Sequence, residues 1–192
     1  MQRWCWGLDV AQARLGVGLV EVESGGFQSH AIEFREGKGS LPLSEELERG
    51  WDRTLQWAKA VRFTHPPATI ALEVPRGRFP HPELLMMTGA VCLAMIHATS
   101  LRPWEINVST WKRQFREDGI DLAKKSMLVP WLSELGWIVP RYRDHNGRNK
   151  LDEDRAAGVA IAGAARRIFF ERPTTDLHPV RPVITVDLDD AA

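Results

Sequence analysis

Cysteine is nearly absent: Cys5 and Cys92 are the only two in 192 residues, and both lie inside apolar runs. With no C-x-x-C spacing and no Cys/His cluster, nothing points to zinc, and reduced thiols fit a cytoplasmic protein. Long apolar runs are missing too. The longest, "LLMMTGAVCLAMIHA", falls short of the roughly 18 residues of a membrane span, so no membrane association is expected. The beginning, "MQRWCWGLDV", has no basic region followed by an apolar stretch and a small-residue cleavage site, so no secretory signal is read. Net charge is the third absence. With 25 basic residues balancing 25 acidic ones, a uniformly basic nucleic-acid binder is excluded. What remains, 44% hydrophobic and 26% charged residues, suits one globular domain able to bury a core without disulfides or structural metal.

The balance of charge is global, not local. Between Arg102 and Lys150 there are 10 basic and 6 acidic residues, a net of +4, whereas the flanking segments carry −1 before and −3 after. A basic middle between acidic flanks is either a phosphate-facing surface or an ordinary solvated face, and charge alone does not choose between them.

Periodicity gives the elements. "RWCWGLDV", "RLGVGLVEVE" and "FQSHAIEF" read as three strands in a meander, the last two separated by Gly25 and Gly26. "LSEELERGWDRTLQWAKAVRF" places Leu47, Trp51, Leu55 and Ala58 at helical spacing behind Ser44 as N-cap. "ATIALEV" is a fourth strand, "HPELLMMTGAVCLAMIHATS" an apolar helix, and "PWEINV" a short fifth strand. "STWKRQFRED" is a helix capped by Ser109, and "LAKKSMLVPWLSELG" is a helical stretch that Pro130 bends or divides. After a polar loop, "RYRDHNGRNK", the helix "DEDRAAGVAIAGAARRIFF" runs to about Arg172. Residues 1–172 are thus expected to form the domain, and residues 173–192, rich in proline and acids, a poorly ordered tail.

Two acids stand out in this pattern. Asp9 stands where the first strand ends, early in "GLDVAQARLGVGLVE", and Glu73 lies at the end of the strand in "TIALEV". A carboxylate in a dry interior costs several kcal/mol unless a cation or hydrogen-bond donors meet it. Taken singly, Asp9 is a turn or cap residue or a metal ligand, and Glu73 a salt-bridge partner or a ligand. Asp152, Glu153 and Asp154 open the last helix, where the helix dipole also favours acids. Taken together, the three places suggest a shared site for a hard divalent ion, Mg²⁺ or Mn²⁺. Two such ions about 3.5 to 4 Å apart could activate water for phosphodiester hydrolysis.

The ordered set "GLDVAQARLGVGLVE", "IALEVP", "INVSTWKRQF", "KKSM" and "DEDRAAGVAIAGAA" resembles the RuvC-like Holliday-junction resolvases of the RNase H-like superfamily, over roughly residues 5 to 170. The resemblance implies a mixed five-stranded sheet with its first three strands antiparallel, flanked by helices. It also implies a homodimer that nicks opposing strands of a four-way DNA junction. Asp9 and Glu73 match the first two metal-binding acids of that family. Asp154, helped by Asp152, is the candidate third, although Arg155 and Ala157 stand where a paired acid would follow each. Lys112 and Lys125 match basic positions beside the scissile phosphate. Arg76, Arg78, Arg113, Arg116 and Lys124 are candidate nucleic-acid contacts, Phe79 a candidate stacking residue, and Trp104 and Trp111 the best placed of the eight tryptophans. Other substrates of the same fold, flaps or RNA–DNA hybrids, and a catalytically inactive nucleic-acid-binding relative stay open. "GLDVAQARLGVGL" also looks like the first phosphate loop of actin-like ATPases, but those need a second domain and a second glycine-rich loop.

Overall fold

The computed structural model describes residues 2–35, 41–74, 81–116, 119–120, 122, 127–143, 148–171 and 178–179. Strands β1 (Trp4–Val10), β2 (Arg14–Glu21) and β3 (Phe27–Glu33) form the expected antiparallel meander. Gly25, at φ +75°, turns β2 into β3, a backbone state that side chains disfavour. Helix α1 (Leu43–Val61) crosses over, so β4 (Pro67–Glu73) returns parallel to β1. Helix α2 (Pro82–Thr99) then leads to β5 (Trp104–Ile106), parallel to β4.

The sheet order β3-β2-β1-β4-β5 is the mixed five-stranded arrangement anticipated from the sequence. His178–Pro179 adds a short strand β8 antiparallel to β5 at the edge, where proline's missing N–H costs no ladder bond. It is the described part of the tail segment 173–192.

Three local expectations need correction. Helix α1 begins at Leu43 after Pro42, so Ser44 lies inside the first turn, and no side chain caps the helix. Helix α3 (Val108–Arg116) is capped by Asn107, whose Oδ1 accepts from Thr110 N at 2.8 Å; Ser109 merely donates to the same oxygen. The segment taken as a polar loop contains a hairpin, β6 (Arg141–Arg143) and β7 (Asn149–Leu151), paired apart from the main sheet. Helix α4 (Leu128–Glu134) carries Pro130 in its first turn, where no intrahelical N–H bond is lost. Helix α5 (Glu153–Arg166) follows the hairpin and ends in a wider π-helical turn, Arg167–Glu171.

Strand alternation sorts β1, β2 and β4 into two faces. Trp6, Leu8, Leu15, Val17, Leu19, Ile70 and Leu72 point toward α1 and α2 and form a core of large side chains with Met87, Val91 and Met95. Helix α2 has the length and apolar composition of a membrane span, longer than its uninterrupted apolar run, but its Met87, Val91, Cys92 and Met95 are buried in this core. Cys5, Gly7, Ala71 and the candidate acids lie on the other face, under α5, whose residues from Ala156 to Ala162 are all buried.

Candidate active site

Parallel register places Asp9 and Glu73 side by side. The last registered pair of β1 and β4 is Leu8 with Leu72, so the next residue on each strand is one of the acids. Neighbouring strands run about 5 Å apart, and both side chains leave on the α5 face. Asp9 is buried at 7% exposure. The Glu73 carboxylate accepts a hydrogen bond at 2.8 Å from the indole Nε1 of Trp111 on α3. A buried indole N–H needs an acceptor, and here it fixes the orientation of a candidate ligand.

The start of α5 is brought to the same end of the sheet by glycine. Gly16 is the cross-strand partner of Asp9, and a Cβ at Gly16 would overlap the backbone of Asp154. Gly18 likewise lies under the backbone of Gly158 and Val159. The glycines of "RLGVGL" therefore serve close helix-to-sheet contact.

The two acids of α5 have different surroundings. Asp152 is the N-cap: its Oδ1 accepts from Arg155 N at 3.1 Å, and its Oδ2 from Arg14 Nη2 at 2.5 Å. Both Arg14 and Asp152 are buried, at 4% and 3% exposure. Arg14 Nε lies 3.6 Å from Asp154 Oδ2 and 3.5 Å from Glu33 Oε1. Burial opposes the Arg14 charge, yet Asp152, Glu33 and Asp154 outweigh it and raise its pKa, so it stays cationic. Burial is also the main cause that raises the Glu33 pKa, against the pull of Arg14. Asp154 is less buried than Asp152, its side chain 18% exposed against 4%.

The remaining candidates are spread more widely. Lys112 on α3 is partly buried, its ammonium 5.5 Å from the Trp111 ring centre, one residue from the tryptophan that holds Glu73. Arg113 and Arg116 are exposed on the same helix. Arg76, Arg78, Phe79, Lys124 and Lys125 lie outside the described residues. Trp111 is 2% exposed and so cannot stack on a base; Trp104 packs against Phe169 at 5.3 Å between ring centres. Three participants went unread in the sequence: Trp111 as a carboxylate holder, Arg14, and Tyr142, whose ring lies 4.2 Å under the Arg14 guanidinium.

The donor set is all carboxylate, the kind that suits Mg²⁺ or Mn²⁺. Among the described residues, no three acid, histidine or cysteine side chains converge into a ready-made metal cluster. The arrangement fits a hard cation through the adjacent Asp9 and Glu73, with Asp154 held near them by the Gly16 contact.

A meander continued by parallel strands, acids at the ends of β1 and β4, and a small-residue helix laid over them make this an RNase H-like fold. More particularly, the chain is similar to the RuvC structure of Thermus thermophilus. The TM-score is 0.62 at 19% identity, over 94% of this chain and 100% of that one. It is also similar to T. thermophilus RuvC in complex with a Holliday junction substrate, with a TM-score of 0.59 and 18% identity over 94% of this chain and 99% of that one. No family model matches the sequence, and no curated protein does. At these identities the likeness is one of fold, the fold the sequence resemblance implied.

Proposed function

We propose that this chain is a Mg²⁺- or Mn²⁺-dependent endonuclease that resolves four-way DNA junctions as a cytoplasmic homodimer. One observation carries the reading: Asp9 and Glu73 end adjacent parallel strands on the face where α5 delivers Asp154. Support for the substrate comes from the RuvC neighbour solved with a Holliday junction, which covers nearly the whole of both chains.

Asp9 and Glu73 would hold the ion and Asp154 would complete the site, with Asp152 supporting the helix start. When bound, a divalent ion activates water and stabilises charge at a reacting phosphate. The chain's own residues do the rest. Trp111 holds one Glu73 oxygen and so limits the rotation of that carboxylate. Arg14 keeps the start of α5 neutralised and seated. Lys112 and Lys125 would offset negative charge that develops on the phosphate. Arg76, Arg78, Phe79, Arg113, Arg116 and Lys124 would position the strands.

Cleavage of junction, flap, linear duplex and RNA–DNA hybrid by the purified chain, with Mg²⁺ and with chelator, tests this reading. Paired, symmetric, Mg²⁺-dependent nicks in the junction, faster than cleavage of the other substrates, are expected. A preference for flap or hybrid would keep the metal site and overturn the resolvase assignment.

A further inference from the structure

We infer that the β6–β7 hairpin is an arm that grips the nucleic-acid backbone beside the acidic site; the inference rests on the nuclease reading above. Residues 141–150 hold Arg141, Arg143, Arg148 and Lys150 against the single acid Asp144. The hairpin's net +3 thus accounts for most of the +4 excess of the whole basic segment. All four cationic residues are exposed. The residues directly across from Arg141 and Arg143 are Leu151 and Asn149, so no cross-strand acid offsets either one. Four exposed cations on so short a ribbon make a locally basic surface of the kind that meets phosphate.

The ribbon is fixed to the site from beneath. Its base is closed by Asp152 N donating to Pro140 O at 2.8 Å, and Leu151 packs on the core under α5. Tyr142 lies against Arg14, the same guanidinium that pairs with Asp152 and Asp154. A strand of nucleic acid held by the ribbon is therefore held in register with the start of α5. The ligand class follows from the chemistry: a polyanion with regularly spaced phosphates, contacted without regard to base sequence.

Binding without cleavage, measured for the full chain in Ca²⁺ on a four-way junction between about 50 and 200 mM salt, tests the arm. The variant Arg141→Gln/Arg143→Gln/Arg148→Gln/Lys150→Gln is compared with Lys59→Gln/Arg102→Gln, which removes exposed charge elsewhere on the molecule. Each lost phosphate contact should lower the salt slope by about 0.9, so the fourfold variant should lose about 3 to 4 and bind at least ~10-fold more weakly. The two halves, Arg141→Gln/Arg143→Gln and Arg148→Gln/Lys150→Gln, should each lose part of that slope. This guards against a folding defect in the fourfold variant. The control pair should leave slope and affinity within about twofold. Unchanged slope and affinity in folded hairpin variants would overturn the arm while leaving junction binding intact. Absence of salt-dependent junction binding by the unaltered chain would overturn both the arm and the nuclease reading.

Discussion

The two faces of one sheet are built from alternate residues of the same strands, yet they follow opposite rules. Toward α1 and α2, Trp6, Leu8, Leu19, Ile70 and Leu72 fill space with bulk. Toward α5, Gly7, Gly16 and Gly18 remove bulk so that helix backbone rests on strand backbone, and Asp9 and Glu73 occupy the margin. Bulk on the first face supplies burial at about 25 cal/mol per Å² of apolar area. Its absence on the second allows α5 to be delivered in one register. The lesson is a division of labour by strand parity: even positions of β1 fill the large-side-chain core, and odd positions seat α5 and carry the candidate acid Asp9.

Neighbouring residues make the sharpest test of that division. Asp9→Asn and Glu73→Gln should each lower cleavage by more than about 100-fold, beyond the usual cost of losing an outer partner of a ligand. Their melting temperatures should stay near that of the unaltered chain. Leu8→Ala and Leu72→Ala, one position away, should instead cost about 2 to 5 kcal/mol of stability in denaturant unfolding. If Asp9→Asn unfolds the protein and retains specific activity, parity does not separate the two roles.

Within the second face, the acids of α5 should separate in the same way. Asp152→Ala removes a cap and leaves the Arg14 guanidinium buried without its nearest partner, a loss of about 3 to 5 kcal/mol. Asp154→Asn should leave stability within about 1 kcal/mol, as for a partly exposed ion pair, and take most of the cleavage rate. The reverse order of effects on rate would move the catalytic register from Asp154 to Asp152.

A smaller effect belongs to Trp111. Trp111→Phe keeps most of the ring's packing against Phe115 but removes the donor to Glu73. Cleavage should fall about 10-fold with a rise in the Mg²⁺ concentration needed for half activity, as for other outer partners of metal ligands. A stability loss near 1 kcal/mol accompanies it.

The smallest effect is on the first face and depends on pH. Burial lowers the pKa of His30 below its ordinary 6.5, with Arg155 and His65 adding to the shift, and burial does the same to His65. Both rings lie among tryptophans, His30 beside Trp57 and His65 beside Trp4. Because the unfolded chain takes up protons first, stability should be complete above about pH 6.5 and decline as pH falls through the lowered folded values. Unfolding measured from pH 7.5 to 5 should show this decline, and His30→Asn should flatten it.

The first face and the strand acids were legible in the sequence because burial leaves a periodic record. Asp9 and Glu73 were conspicuous as acids ending apolar strands. The register of α5 was not legible, because it is set by Gly16 and Gly18 meeting helix backbone across 138 or more positions of chain, a contact that leaves glycines in the sequence without naming their partner. The hairpin was hidden because Arg141, Tyr142 and Arg143 alternate without an apolar face, so period-two hydrophobicity is absent. Asn107 and Ser109 are both good capping residues, and only the path of the chain out of β5 decides between them. Trp111 read as a candidate stacking aromatic, since nothing local to α3 announces that its N–H meets a carboxylate on β4.

Mn²⁺ binding followed by electron paramagnetic resonance tests the central claim, that the α5 face holds a hard divalent ion between Asp9 and Glu73. The unaltered chain should show saturable binding that Mg²⁺ displaces. Asp9→Asn and Glu73→Gln should each lose it while keeping the same circular dichroism and melting temperature. Saturable Mn²⁺ binding undiminished in both variants would contradict the account.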